Sequence, residues 1–297
     1  MLRFFCVVPL SLGSTLLPVH DESTALQLMK ASHVVFGGTC RNVAKYLLNN
    51  LLNIDRAGQL FASYHVVIYE NDSKDQTRQI LIEHAFGRPE YHLIFEDNVP
   101  EPARTMRLAR GRNKVLDAAR GLNISEPAYL VILDLDDINS SGCFVESLPS
   151  CFKYTDWDAL FGNQLGDYYD SWPLRQESGW VDYSVVTWGV NRPRQEELTP
   201  VKSAFGGLAI YRMSSIPPTA HYTGFTCEHV SFHTSMIEGG SDRLFINTNL
   251  LTDCDCTSCA RKPTTVILRL IIAVIALVPV FGIFLLWWKL RQISRRK

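Results

Sequence analysis

In the first half of the chain, short apolar and β-branched runs alternate with longer segments of helical periodicity. Strands and helices that alternate in this way form parallel sheets with right-handed crossovers. The pattern predicts strands at His33–Gly37, Tyr64–Glu70, Tyr91–Glu96 and Tyr129–Leu133. It predicts helices between them at Asn42–Ile54, Asp75–Ala85 and Glu101–Arg120. We therefore expect this half to be a Rossmann-like α/β unit.

The second half has a mixed pattern. It predicts strands at Ala159–Asn163, Ala204–Tyr211 and Leu244–Thr248, and a helix at Glu228–Glu238. A chain of 297 residues with 46% hydrophobic content can build one large α/β domain or two small ones, and we assign residues 21–252 to a single domain. The net charge of −1 is spread along the chain. This charge pattern argues against a nucleic-acid partner, which would require a basic surface.

Near the C-terminus, the residues from Leu270 to Trp288 carry no charge. Such a stretch is long enough to cross about 30 Å of hydrocarbon as a helix, so we predict a transmembrane helix at 264–288. A buried core helix is the alternative. A basic tail follows at 289–297, and a Cys-rich linker precedes the helix at 253–263. The linker cysteines Cys254, Cys256 and Cys259 suit zinc binding, local disulfides or palmitoylation, and the sequence does not choose among these.

The excess of basic residues after the predicted span favours a cytosolic tail. We therefore expect a single-pass membrane protein of the endoplasmic reticulum or Golgi with a lumenal catalytic domain; a cytosol-facing domain is the alternative. The apolar residues 1–20 fit an export signal, or else a first strand and turn. In an oxidising compartment, Cys143 and Cys151 are close enough in sequence to form a disulfide.

Two strand ends carry groups suited to ligand binding. The strand ending at Glu70 runs into a polar turn with Asn71, Asp72 and Asp75, where side chains can accept hydrogen bonds from a nucleoside. An ordinary capped turn is the alternative. The strand Tyr129–Leu133 ends in three acids, Asp134, Asp136 and Asp137. Carboxylate oxygens are the ligands that Mg²⁺ and Mn²⁺ prefer, so we predict a metal site that also binds a diphosphate.

With the polar turn after one strand and the three acids after a later strand, the chain resembles the family-2-like GT-A glycosyltransferases over roughly residues 32–251. The resemblance implies a GT-A fold, a nucleotide-sugar donor, and donor contacts from the turn carrying Arg41, the pair Arg112-Asn113, and Asp134. The family's usual acidic pair is Glu70-Asn71 here. This departure leaves the choice between uridine and guanosine open.

A later segment, Cys227 to His233, resembles the acidic start of a helix from which such enzymes present a general base. The resemblance makes Glu228 the base and puts His229 in the place of a second acid. His229 or His233 is a further candidate metal ligand, because neutral imidazole suits Mn²⁺; we assign His233 to the metal and His229 to the acceptor. A helix cap without catalytic function is the alternative.

Aromatic, acidic and flexible residues lie between the donor and base motifs. Aromatic faces bind sugar CH groups, and acids and Arg bind sugar hydroxyls. The candidate acceptor-site residues are Tyr168, Tyr169, Asp170, Trp172, Arg175, Gly206 and Gly207. Core packing is the alternative for the aromatic residues.

Together these patterns predict a membrane-bound, Mn²⁺- or Mg²⁺-dependent enzyme that moves a sugar from a nucleotide diphosphate sugar to a glycan or glycoconjugate, with inversion. A sugar nucleotidyltransferase is one alternative, although the segment Gly37 to Arg41 is a poor phosphate loop. A catalytically dead, membrane-tethered carbohydrate-binding protein is the other.

Overall fold

The computed structural model describes residues 16–164, 168, 170–176 and 195–253. The chain divides into two units, residues 1–256 and 257–297, and every described residue belongs to the first. The predicted transmembrane helix and basic tail lie outside the described residues, as does most of the N-terminal apolar segment. Among the helices that the structure describes, none is long and apolar enough to span a bilayer.

The described residues form one mixed α/β sheet of eight strands. The strands are β1 (His33–Cys40), β2 (Ser63–Asn71), β3 (Tyr91–Glu96), β4 (Ala128–Leu133), β5 (Ala159–Gln164), β6 (Thr199–Pro200), β7 (Leu208–Arg212) and β8 (Leu244–Asp253). Their order in the sheet is β3-β2-β1-β4-β7-β5-β8-β6. The first four strands are parallel, whereas β7 runs antiparallel to both of its neighbours. The predicted Rossmann-like half and mixed second half are both present.

Six α-helices accompany these strands in the described part of the chain. They are α1 (Glu22–Lys30), α2 (Ala44–Gly58), α3 (Thr77–Ala85), α4 (Arg104–Gly121), α5 (Cys143–Ser147) and α6 (Glu228–Glu238). Four of them match the sequence predictions within a few residues at each end. The prediction missed α1, which begins where the Asp21 carboxylate accepts a hydrogen bond from the backbone N–H of Thr24 at 2.8 Å.

Alternate residues of the central strands pack into two hydrophobic cores, one on each face of the sheet. On β1, Phe36 belongs to the core that also contains Leu47 and Leu51 of α2. Its neighbour Val35 belongs to the opposite core, with Val115 of α4. Because both faces are covered, the central strands are apolar along their length and leave polar residues only at their ends.

Two predictions about the second half are wrong. The predicted strand Ala204–Tyr211 begins only at Leu208, because Gly206 and Gly207 have φ angles of +67° and +85°. Cys143 is disulfide-bonded, but Cys151 is a free, buried thiol, so the two do not pair with each other. Sequence proximity alone could not exclude that pairing.

Candidate active site

A cleft of about 370 Å³ opens at the carboxyl ends of β1, β2 and β4. Ligands bind at this edge in open parallel sheets, because the loops that follow the strands converge there. The residues lining the cleft are Thr39, Cys40, Arg41, Asn42, Val43, Tyr69, Asn71, Arg104, Arg107, Leu108, Asp134, Leu135 and Asp136. Four of the predicted ligand-binding residues, Arg41, Asn71, Asp134 and Asp136, therefore meet in one cavity.

The acids of the predicted nucleoside turn mainly hold the turn together. The carboxylate of Glu70 is buried and accepts hydrogen bonds from the backbone N–H of Ser73 at 2.9 Å and from Arg78 at 2.5 Å. The carboxylate of Asp75 accepts from the backbone N–H groups of Ala44 and Thr77. These contacts fix the geometry of the turn, so Glu70 and Asp75 have a structural role beside the cleft.

Asp72 has a left-handed backbone conformation, with φ of +52°. Its carboxylate accepts hydrogen bonds from the backbone N–H of Asn98 at 2.6 Å and from the side-chain amide nitrogen of Asn71 at 2.9 Å. These hydrogen bonds lower the pKa of Asp72, with that from Asn71 contributing most. A carboxylate can only accept, so the amide nitrogen of Asn71 must face Asp72. The amide oxygen of Asn71 is then the atom left to accept a hydrogen bond from a ligand in the cleft.

The three acids after β4 lie in different places. Asp134 and Asp136 both line the cleft. Asp137 begins a short 3₁₀ turn, and the carboxylate of Asp136 accepts a hydrogen bond from Ile138 N–H within that turn at 3.2 Å. Desolvation and the negative charge of Asp134 raise the pKa of Asp136 to about 6. The two cleft carboxylates therefore repel each other.

Asp134 and Asp136 fit the metal that the resemblance implies. They provide hard oxygen ligands on a shared cavity wall, and a cation would relieve the repulsion that raises the pKa of Asp136. Within the described residues, no group of three or more His, Cys, Asp and Glu side chains is arranged to hold a metal ion. A divalent cation at Asp134 and Asp136 would thus complete its coordination with ligand oxygens and water, as Mg²⁺ commonly does.

Arg112 connects the cleft to the start of α6. It is 3% exposed and donates to Asp134 at 3.1 Å and to Glu228 at 3.3 Å. Burial alone would lower the pKa of Arg112, but the two carboxylates raise it. Its guanidinium carbon also lies 5.0 Å from the ring centroid of Phe205. Two carboxylates with different predicted roles therefore share one buried cation.

Glu228 and His229 begin α6 and are both buried. The His229 ring stacks on Phe205, with a centroid separation of 3.8 Å, and its Nε2 lies 4.0 Å from a Glu228 carboxylate oxygen. Neither ring nitrogen has a hydrogen-bond partner among the described residues. Burial, with the nearby charge of Arg112, lowers the pKa of His229 well below its ordinary value. His229 is thus a neutral imidazole with unused hydrogen-bonding capacity.

Two predicted ligands are bonded elsewhere. His233 has hydroxyl partners on both ring nitrogens, Ser203 and Tyr211, each at 2.8 Å. Metal binding would require one of these buried hydrogen bonds to break, so we remove His233 from the metal site. The Asn113 side chain makes two hydrogen bonds to the backbone of Tyr222, at 2.9 and 2.8 Å. Asn113 therefore clamps α4 to the loop before α6 and is not assigned to the nucleotide.

The predicted acceptor residues are only partly brought together. Asp170 accepts a hydrogen bond from Gly206 N–H at 3.0 Å, and burial and the charge of Asp134 raise the pKa of Asp170 to about 7. Trp172 is 42% exposed, whereas Tyr168 is buried. Arg175 donates to the backbone carbonyl of Trp172, and Tyr169 lies outside the described residues. Asp170 and Gly206 thus join the site, while Arg175 stabilises its own loop.

Other site residues were not assigned from the sequence. Arg104 and Thr39 line the cleft, and Phe205 packs against both His229 and Arg112. Arg104 is one helical turn before Arg107 at the start of α4. This spacing puts two basic residues on one helix face beside a strand-end cleft, and it could have been recognised in the sequence. Phe205 carries no such signal.

The model of Glycosyl transferase family 2 matches residues 39–216 of the chain. That range includes the whole cleft and more than half of the chain. It ends before Glu228 and His229. No curated protein matches the sequence significantly.

Three solved structures illustrate the structural similarity of this chain to known proteins. The mannosyltransferase PcManGT from Pyrobaculum calidifontis, in complex with GDP-Man and Mn²⁺, is 16% identical, with 74% of this chain and 56% of that chain covered and a TM-score of 0.46. S. aureus TarS 1-349 with UDP-GlcNAc is 18% identical, with 72% and 55% covered and a TM-score of 0.40. Glucosyl-3-phosphoglycerate synthase from Mycobacterium tuberculosis with phosphoglyceric acid is 14% identical, with 80% and 76% covered and a TM-score of 0.47.

The chain spans a little over half the length of the mannosyltransferase and TarS chains that it matches. All three TM-scores lie below 0.5 and all identities below 25%. These similarities therefore say nothing about substrates, and the family match alone carries the assignment.

Proposed function

Because the chain belongs to glycosyl transferase family 2, we propose that it transfers a sugar from a nucleotide diphosphate sugar to a hydroxyl group of an acceptor. The observation that carries this proposal is the cleft at the carboxyl ends of the parallel strands, where Asn71, Asp134 and Asp136 line one cavity. The amide oxygen of Asn71 suits an N–H of a nucleobase, and the two acids suit a cation at a diphosphate.

The basic residues of the cleft support binding of the donor. Arg41, Arg104 and Arg107 line the cavity, and Arg104 and Arg107 lie on the first two turns of α4. Guanidinium groups and a helix N-terminus both favour phosphate oxygens. A divalent cation held by Asp134 and Asp136, either Mn²⁺ or Mg²⁺, would supply further neutralisation of the negative charge that develops on the departing nucleotide diphosphate.

Glu228 is the proposed general base. In the proposed step, its carboxylate takes the proton of the acceptor hydroxyl, whose oxygen forms a bond to the anomeric carbon as the bond from that carbon to the diphosphate breaks. Attack from the face opposite the leaving group inverts the anomeric centre. Arg112 supports this role, because its hydrogen bond holds one oxygen of Glu228 in place. His229, beside Glu228, is proposed to bind an acceptor hydroxyl.

The acceptor and compartment rest on the sequence. The transmembrane helix predicted at 264–288, with its uncharged stretch 270–288, supports a single-pass enzyme, and the basic tail supports a lumenal catalytic domain. A glycan or glycoconjugate is the acceptor class proposed with this topology.

The direct test is a panel of nucleotide sugars incubated with the full chain and Mn²⁺, with nucleotide diphosphate release as the readout. We expect release with one sugar nucleotide, loss of release with EDTA, and recovery when Mn²⁺ is added back. A parallel incubation with nucleoside triphosphates and sugar phosphates, followed by pyrophosphate release, tests the nucleotidyltransferase alternative. Pyrophosphate release without any transfer activity would refute the proposal. Failure of every sugar nucleotide even to bind would favour a catalytically dead protein.

A further inference from the structure

Three Asn-X-Ser sequons lie in the domain, at Asn71, Asn123 and Asn139. In a folded protein, an N-linked glycan is found where the asparagine side chain is accessible, usually in a surface loop, because a buried asparagine leaves no room for it. The three asparagines differ sharply in their surroundings.

Two of the sequons are closed to modification in the folded chain. Asn139 is fully buried, and its side-chain nitrogen donates to the backbone carbonyls of Asp134 at 2.9 Å and Gly207 at 2.8 Å. Asn71 is 7% exposed, and its side-chain nitrogen donates to the Asp72 carboxylate. The atom that would carry the glycan is therefore already hydrogen-bonded in both residues, and both lie beside the donor cleft.

Asn123 is different. It is exposed, in the loop between α4 and β4, and Ser125 of the same sequon is exposed as well. Helix α4 has 18 residues and separates this loop from the cleft residues at its other end. At 1.5 Å per residue the helix is about 27 Å long. A glycan at Asn123 would project into solvent far from the donor site.

A separate observation concerns the compartment. Cys143 is disulfide-bonded. Disulfides of this kind persist in oxidising compartments such as the lumen of the endoplasmic reticulum, where N-linked glycans are also attached. The disulfide therefore indicates a compartment in which the accessible sequon at Asn123 can be glycosylated.

We propose that Asn123 carries an N-linked glycan and that Asn71 and Asn139 do not. In this reaction, the side-chain nitrogen of Asn123 forms a bond to the anomeric carbon of an oligosaccharide carried on a lipid diphosphate. The bond from that carbon to the diphosphate oxygen breaks, the lipid diphosphate leaves, and the amide loses one proton to a base of the oligosaccharide-transferring enzyme. No oxidant or reductant is needed.

The test is expression of the full chain in a eukaryotic secretory host, followed by enzymatic deglycosylation and peptide mapping. Deglycosylation converts a glycosylated asparagine to aspartate, so the modified position appears as a mass shift. We expect complete or near-complete conversion at Asn123 and none at Asn71 or Asn139. Ser125→Ala should abolish the modification, whereas Ser125→Thr should retain it. Both variants keep Asn123 and change only Ser125, the hydroxyl residue of the sequon.

Two further readouts make the test decisive. Alkylation under non-reducing conditions should leave Cys143 unlabelled in the glycosylated protein. Nucleotide diphosphate release, if detected, should change less than twofold in Ser125→Ala, because the loop is remote from the cleft. An unmodified Asn123 would overturn the proposal, whether Cys143 is oxidised or free. A glycan on Asn71 or Asn139 of folded protein would overturn it as well. Failure of sugar transfer would not bear on these outcomes, so the two proposals fail independently.

Discussion

Two regions differ in how completely their polar side chains are hydrogen-bonded: the turn between β2 and α3, and the start of α6. In the turn, each acid accepts hydrogen bonds from backbone groups, as Asp72 does from Asn98 and Val99. At the start of α6, the polar groups are buried but incompletely paired. One guanidinium nitrogen of Arg112 and both ring nitrogens of His229 have no hydrogen-bond partner in the described part of the chain.

This difference in hydrogen bonding indicates that the two regions have different roles. A buried polar group without a partner costs about 1–3 kcal/mol, so folded proteins retain such groups mainly where a ligand or function uses them. The acids of the turn before α3 already have protein hydrogen-bond partners, so the turn would present a rigid edge to the proposed donor. Under the proposed function, a substrate would supply the hydrogen-bond partners that the start of α6 lacks among the described residues. Each of the following substitutions tests one side of this contrast.

The largest effect is expected at the metal-binding edge. Asp136→Ala should reduce transfer by about 1,000-fold, because it removes a ligand at the point where leaving-group charge develops. Initial rates of nucleotide diphosphate release at saturating donor and Mn²⁺ measure this effect. Asp117→Ala, at an exposed position on α4, is the control and should have nearly wild-type activity. Near-native activity of Asp136→Ala with intact sensitivity to EDTA would remove Asp136 from the metal site.

The next effect is expected at the proposed base. Glu228→Gln should reduce transfer by about 100-fold while donor binding is retained, because an amide of nearly the same shape cannot take up a proton. Single-turnover rates and donor titration separate the two quantities. Glu238→Gln, at the exposed end of the same helix, controls for the charge change on α6. Wild-type turnover in Glu228→Gln would mean that the base lies elsewhere.

His229 and His233 form a matched pair one helical turn apart. His229→Phe should raise the free energy of unfolding by about 1 kcal/mol, because it removes unpaired buried nitrogens while it keeps a ring against Phe205. It should also lower kcat/KM for the acceptor by about tenfold, since one hydrogen bond to the acceptor is lost. Denaturant unfolding and acceptor titration measure the two effects.

His233→Phe is the control, and it should lower the free energy of unfolding by about 2 kcal/mol because it leaves the hydroxyls of Ser203 and Tyr211 unpaired. Equal loss of stability in both variants would show that the His229 nitrogens are paired in solution. The contrast between the two regions would then disappear.

The smallest effect is expected at the supporting turn. Asp72→Ala should weaken nucleotide binding by about fivefold, because it removes the acceptor that orients the Asn71 amide and tethers the loop at Asn98. Calorimetric titration with the nucleoside diphosphate of the active donor measures this. Asp97→Ala, which removes an exposed ion pair with Arg78, should have a smaller effect. Unchanged affinity in Asp72→Ala would mean that Asn71 is oriented by other contacts or does not bind the base.

The sequence predicted the parallel strands at whose carboxyl ends the cleft lies. Residues 66–71 of β2 and all of β4 are buried on both faces of the sheet, and a continuous apolar run such as 128–133 is a strong local signal. The glycines at 206 and 207 could have shortened the predicted strand Ala204–Tyr211, since two successive glycines often mark a turn. Two-residue strand β6 has too few residues to form a pattern.

The roles of individual polar residues were less predictable, because their partners are distant in the sequence. Asn113 bonds to Tyr222, which is 109 positions away, and His233 bonds to Ser203, which is 30 away. The neighbouring sequence does not distinguish His233, which has two hydroxyl partners, from His229, which has none among the described residues. Strand positions follow from local periodicity, but the pairing of a buried polar group requires the folded chain.

The guanidinium of Arg112, shared by Asp134 and Glu228, also has a thermodynamic consequence. A cation or donor that neutralises Asp134 weakens one of the two attractions acting on Arg112 and leaves its charge to Glu228. Under the proposed function, binding at the cleft would then alter the hydrogen bond between Arg112 and Glu228, and through it the affinity for the acceptor. Such coupling is reciprocal, so the acceptor must change donor affinity by the same factor. Under the proposed function, the affinities for the two substrates are therefore coupled through the hydrogen bonds of this one arginine.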